Sequence, residues 1–213
     1  MTIYIIRHGE TEFNKVGKVQ GKIDTELNHT GNYQAKLFHE YYRTVPFDVI
    51  ITSALKRTHQ TVAPFIKKNP DIWEQIPELD EICWGIHEGQ PNTPTLDANF
   101  HKMMHEWESG NYDAAIEGGE SINQLAVRVQ KSIDYLRNID ANNVLVCTHG
   151  RTLLCLITLL KGEPLKNMNQ FKHQNTCLYI VHYLNGEFIF EVENDLRHLQ
   201  NTISQPAYSE TPV

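Results

Sequence analysis

The chain has 213 residues, room for one well-buried domain or at most two small ones, and its 40% hydrophobic and 21% charged residues are ordinary for a soluble globular protein. A formal net charge of −7 argues against a general nucleic-acid binder, which would carry a basic stripe. It leaves an anionic substrate open, because a few buried arginines make a positive pocket in an acidic protein.

Residues 2–6 are apolar and β-branched, which predicts a buried strand; the run is too short for a signal peptide or a membrane span. Residues 13–28, with Gly17 and Gly21, read as a loop. Thr30 or Asn28 caps a predicted helix to about Arg43, with Ala35, Phe38 and Tyr42 on one face. Residues 47–52 form a second strand, 55–68 a helix ended by Pro70, and 72–76 a short third strand. Residues 77–119 are irregular, with a helix over 96–108, and read as a lid-like excursion rather than a second domain. Ser121 then caps an amphipathic helix with Ile122, Leu125, Val129, Ile133 and Leu136 at helical spacing. A strand over 143–148 and a helix over 151–160 follow. Two late strands, 176–184 and 187–192, flank the hairpin signal Asn185-Gly186, and residues 200–213 read as a loosely held tail.

Alternating strands and helices predict a three-layer α/β/α sandwich over residues 1–199, with a mostly parallel sheet and an antiparallel edge. The cysteines Cys83, Cys147, Cys155 and Cys177 are widely spaced, with no C-x-x-C pair, and read as free thiols in a reducing cytoplasm.

Sites in such folds form beyond the carboxyl ends of strands. The first strand runs into Arg7-His8-Gly9-Glu10-Thr11, and the fourth into Thr148-His149-Gly150-Arg151. A neutral imidazole is a nucleophile at cellular pH, and a phosphate ester yields to it only when fixed cations draw off the charge of its oxygens. Arg7 and Arg57 suit that task through the planar guanidinium fork; Asn14 adds a neutral donor, a protonated His149 adds charge, and Gly9 and Gly150 leave room for a ligand. Glu81 and Glu88, either side of Trp84-Gly85, are both candidates for a general acid with a raised pKa.

These elements together resemble the histidine phosphatase (phosphoglycerate mutase-like) superfamily. The resemblance rests on Arg7 to Thr11, Asn14, Gln20-Gly21, Asp24, Leu27 and Gly31. Further along it rests on Ser53 to Thr58 with Gln60-Thr61, and on Leu79 to Gly85 with Glu88-Gly89. Gly118 to Ser121 and Thr148 to Gly150 complete it, so that nearly the whole chain is covered. It implies that His8 becomes phosphohistidine and that Arg7, Arg57 and His149 bind the phosphoryl group. Asn14, Gln20, Gly21 and Gly150 would assist, and Glu81 would move the proton. It implies no metal and no cofactor, and a small phosphate ester as the partner; a homodimer is left open. Gln20-Gly21, where the mutases usually have Gly-Trp, and Asn194-Asp195 with His198-Leu199 near the end, resemble the broad-specificity phosphatases more than the mutases.

The alternatives are a mutase and a non-catalytic phosphate-binding module. The module would be marked by loss of a histidine or of Arg57, and all three are present. His101 and His105 stand at metal-ligand spacing, but Lys102 follows where a metalloprotease has glutamate, so an ordinary helix face is the better reading. Trp84, His87, Phe100, Met103, Met104, Trp107 and Tyr112 are the candidates for an apolar wall beside the leaving group.

Overall fold

The computed structural model describes residues 1–91 and 93–200. Alternation within the strands decides the architecture. In β1 (Thr2–Arg7), Ile3 and Ile5 join one apolar cluster, while Ile6, with Tyr4, joins another on the opposite face. In β2 (Val49–Thr52), Ile51 and Ile50 divide the same way, as do Val144 and Leu145 in β4 (Asn143–Thr148). Strands apolar on both faces must be covered on both faces.

The cover comes from two pairs of helices. Phe38 and Tyr42 of α2 (His29–Tyr42) and Val62 and Phe65 of α3 (Lys56–Lys68) pack on one side. Leu125, Val129 and Ile133 of α5 (Ile122–Asn138), with Leu153 and Ile157 of α6 (Gly150–Leu160), pack on the other. Each such fully buried side chain stabilises the fold by about 1.5–3 kcal/mol. α4 (Pro94–Glu108) lies over the α5–α6 side and inserts Met103 and Trp107.

With β3 (Trp73–Gln75), β5 (Leu178–Leu184) and β6 (Glu187–Asp195), the sheet has six strands in the order β3-β2-β4-β1-β5-β6. Pairings among β3, β2, β4 and β1 are parallel; β5 and β6 are antiparallel additions. The expected three-layer sandwich with an antiparallel edge is what forms. Asn185 and Gly186 both adopt positive φ, 53° and 87°, as the hairpin turn requires. β6 is the outer strand on that side and presents Glu187, Glu191 and Glu193 to solvent.

Three details differ from expectation. A short helix, α1 (Glu12–Lys15), interrupts the predicted loop, because Thr11 and Asn14 cap one another's backbone N–H groups. β6 runs to Asp195 rather than 192, and the chain then turns into α7 (Arg197–Gln200). The loose tail expected from residue 200 lies, from 201 onward, outside the described residues. Among the described residues no helix is long and apolar enough to cross a membrane.

Candidate active site

β1, β2 and β4 are parallel neighbours, so the residues that follow them, His8, Ser53 and His149, meet at one rim of the sheet. The His8 backbone N–H donates to the Thr148 carbonyl at 2.9 Å, and its ring Nδ1 lies 2.7 Å from the Gly9 carbonyl. A carbonyl only accepts, so Nδ1 carries the proton and Nε2 keeps its lone pair. Burial pushes the His8 pKa well below 6.5, and Arg57 and Arg7 push it further the same way. The ring is therefore neutral at neutral pH.

Arg57 stands in the first turn of α3 and is fully buried. Its Nε–H donates to His149 Nδ1 at 3.1 Å, Nη1 to the Ile23 carbonyl at 2.9 Å and Nη2 to the Gly21 carbonyl at 2.9 Å. Three of its five N–H groups are thus held by protein and two remain for a ligand. Burial lowers its pKa to about 10, which leaves it charged at neutral pH.

The same contacts correct the expectation of a protonated His149. A guanidinium can only donate, so Nδ1 of His149 must be bare, and its Nε2–H donates to Ser53 Oγ at 2.8 Å. Burial, then Arg57, lowers the His149 pKa well below 6.5. The ring stands 5.2 Å from that of His8, centroid to centroid, and braces Arg57 rather than supplying a charge.

Arg7 donates from Nη1 to Nδ1 of His173 at 3.1 Å, and its buried Nε has no partner among the described residues. His173 lies over Gly150, where an added Cβ would come 2.8 Å from the His173 ring. Gly150 thus makes room for His173. Gly9 likewise abuts the Gly31 carbonyl, 2.7 Å from where its Cβ would be. Asn14 accepts through Oδ1 from Thr11 and from Asn175, so its amide N–H groups are the ones left for the site. Gln20 accepts from the Thr25 hydroxyl.

Glu81 and Glu88 part company in the structure. Glu81 accepts from the backbone N–H of Ile82 at 3.0 Å and from those of Arg151 and Thr152 at 3.1 Å, at the start of α6. Burial alone would raise its pKa, but these N–H groups and Arg57 outweigh it and hold the carboxyl below 4.5. The expected raised pKa is therefore corrected: three oriented N–H donors compensate the buried charge. Glu88 instead accepts from the N–H groups of Lys22 and Trp84 at 3.0 and 2.8 Å, tying two loops together. Asp80 accepts from Ala54 N–H and pairs with Lys22.

These groups open onto a cavity of about 210 Å³ lined by Arg7, His8, Asn14, Lys18, Val19, Gln20, Gly21, Arg57, Glu81, Trp84 and Phe100. His149 and Gly150 are not among its lining residues. Of the expected apolar wall only Trp84 and Phe100, 5.4 Å apart, face the cavity. Trp107 and Met103 are core residues, and Tyr112 reaches Lys166. His87 and Met103 border a different hollow of about 430 Å³ on the other side of α4. That hollow is larger, but of Arg7, His8, Arg57 and Glu81 it gathers none, and chemistry rather than size marks the site. His101 pairs with Asp97 on the exposed face of α4, as a plain helix-surface residue does.

The family model for the histidine phosphatase superfamily, branch 1, matches residues 3–196. The chain belongs to this superfamily. A relative from Photorhabdus laumondii named "Probable phosphoglycerate mutase GpmB" is 30% identical, over 93% of this chain and 95% of that one. The α-ribazole phosphatase of Shigella flexneri superposes with a TM-score of 0.79 at 28% identity, over 92% of this chain and 96% of that one. The protein YhfR of Bacillus stearothermophilus gives 0.82 at 26% identity, over 93% and 98%. Histidine phosphatases are thus the setting for both kinds of named activity, phosphatase and mutase.

In this member of the superfamily the sequence reading missed His173, Asn175 and the bracing role of Ser53. His173 and Asn175 precede β5, and only the antiparallel pairing of β5 with β1 carries them beyond the end of β1. Strand order is a tertiary property, and no local pattern encodes it.

Proposed function

We propose that the chain is a phosphomonoester hydrolase that works through a phosphohistidine on His8 and needs neither metal nor cofactor. The observation that carries this reading is the bare, neutral His8 Nε2 in a cavity that Arg7, Arg57 and Glu81 also line. Arg7, the two free N–H groups of Arg57 and the Asn14 amide would hold the phosphoryl oxygens and draw off their charge. Nε2 attacks phosphorus, the ester P–O bond breaks, and the leaving oxygen takes a proton through Glu81. Water then attacks phosphorus, giving its proton to the Glu81 carboxylate as the P–N bond breaks. Phosphate leaves, and Nε2 recovers its lone pair.

The cavity fits a small phosphorylated metabolite. Trp84, Phe100 and Val19 offer one apolar side, which suits a leaving group with a flat or aliphatic face. The name of the Photorhabdus relative favours a second reading, in which the phosphoryl group returns to a phosphoglycerate rather than passing to water.

The deciding assay incubates the protein in EDTA with p-nitrophenyl phosphate, with alkyl phosphates and with 3-phosphoglycerate, beside His8→Ala. Phosphate release that disappears in His8→Ala is the expected result. Isomerisation of phosphoglycerate on addition of bisphosphoglycerate, without net release, would establish the mutase instead. Release that survives in His8→Ala removes the reading altogether. A clear preference for alkyl over aryl esters would sink the aromatic wall as a substrate feature.

A further inference from the structure

His198 lies far from the cavity in sequence and does not line it, yet only 1% of it is exposed. Asn194, at φ 51°, turns the chain at the end of β6, and Asp195 accepts from the Arg197 N–H at 2.9 Å to start α7. The turn drives the His198 ring edge-on against Phe38 of α2, 5.4 Å between centroids. There Nε2 stands 3.1 Å from the hydroxyl of Thr176, itself fully buried. The Thr176 hydroxyl spends its only proton on the Asn175 carbonyl at 2.8 Å, so His198 Nε2–H must be the donor.

Thr176 is held at φ 57°, a left-handed conformation that a β-branched residue keeps only when its surroundings impose it. What the turn holds is the nucleophile's backbone. The Thr176 N–H donates to the Arg7 carbonyl at 3.1 Å, and the Asn175 side-chain amide donates to the His8 carbonyl at 3.0 Å and to Asn14 Oδ1 at 3.2 Å.

We propose that His198 is a positioning residue for His8: it locks Thr176 in its left-handed turn, and the 175–176 turn fixes the His8 carbonyl and with it the direction of the imidazole. This rests on His8 being the reacting group, as proposed above. An approach error of a fraction of an ångström at the nucleophile costs rate far more than it costs affinity.

The test compares His198→Leu, which keeps the apolar packing but has no donor, with His198→Gln, whose amide nitrogen reaches the place of Nε2. Both are also made in a Thr176→Gly background, where glycine takes positive φ unaided. Turnover of p-nitrophenyl phosphate is measured with the melting temperature, and the nitrogen-15 ring signals of His8, assigned by their loss in His8→Ala, are recorded for each. His198→Leu should lower kcat about 10- to 100-fold with KM within about twofold, and His198→Gln should stay within about threefold of the parent. With Thr176→Gly already present, His198→Leu should change kcat by less than about twofold. The His8 ring signals should move in His198→Leu and stay in a His182→Ala control.

Unchanged kcat and unmoved ring signals in folded His198→Leu would overturn the proposal, as would an equal loss in the Thr176→Gly background. If His198→Leu does not fold, a His198→Gln that folds yet loses kcat tenfold or more would overturn it too. Ring signals that move while the parent itself shows no turnover would sink the hydrolase reading and leave the clamp standing.

Discussion

Glu81 occupies the seat that the first turn of α6 would otherwise offer to an anion from solution. Its pKa is held low there, so in the empty enzyme the carboxyl arrives at each encounter without a proton. In the proposed hydrolysis the proton for the leaving group must then enter with the substrate, as the monoanion of the phosphate ester, whose second pKa is about 6. kcat/KM should accordingly fall as pH rises above about 6, while the acid limb from His8 lies well below 6.5. A pH profile flat to 8 would remove Glu81 from the proton's path. Glu81→Gln sharpens the point. It should cost about 10²- to 10⁴-fold in kcat/KM for alkyl esters, which reports the step that expels the leaving group, and far less in kcat/KM for p-nitrophenyl phosphate, whose leaving group needs no proton. At this scale the sequence was legible where local order carries the residue: His8 and His149 follow apolar strands directly, and Arg57 opens a helix. Protonation states were not legible. The neutral His149 and the ionised Glu81 follow from partners 92 residues away and from N–H groups about 70 residues away.

Among the elements, the loop over residues 17–25 depends most on a single backbone angle. Gly21 has φ 53°, its carbonyl receives Arg57, and a Cβ on it would lie 1.9 Å from Glu88 Oε1. Gly21→Ala should therefore destabilise the fold by about 1–3 kcal/mol through the strained angle, and more if Glu88 must give up its backbone bonds. The midpoint of urea unfolding reads the first effect and kcat the second, since Arg57 would lose a tether. A substitution that left both unchanged would show that the loop does not position Arg57. The expected helices and strands emerged because each carries its own periodicity and caps: Asn28 and Ser121 cap where their positions suggested. α1 and α7 escaped notice because four residues are too few to show a period, and each exists through one capping or turn contact. The expected apolar wall was only partly right for a related reason. α4 has two faces, and the spacing alone could not say that Phe100 looks to the cavity while Met103 and Trp107 look to the core.

For the whole molecule, histidines link stability to pH: the half-buried His173 and the buried His198 do so alongside His8 and His149 of the site. Burial lowers the pKa of His173 to about 4, with Arg7 adding to the shift, and burial lowers that of His198 to about 4 as well. A folded-state pKa below the ordinary 6.5 means that between those values the unfolded chain binds the extra protons. Stability contributed by the neutral rings is therefore complete above about 6.5 and is lost as pH falls toward 4. The melting temperature should drop steadily across that window, and the slope should flatten in His198→Gln; an unchanged slope would show that His198 takes no part. Charge also acts at the sheet's outer margin. β6 is nine residues long, its outer edge pairs with no strand among the described residues, and its outward row holds Ile189 between Glu187 and Glu191. At neutral pH, antiparallel docking of two such edges centred on Glu191 would set carboxylates against carboxylates, and the strand guards itself against fibre formation. Were those carboxylates replaced by amides, as in Glu187→Gln with Glu191→Gln, the same edge would become a template, and such a variant should be lost to aggregation rather than to simple unfolding.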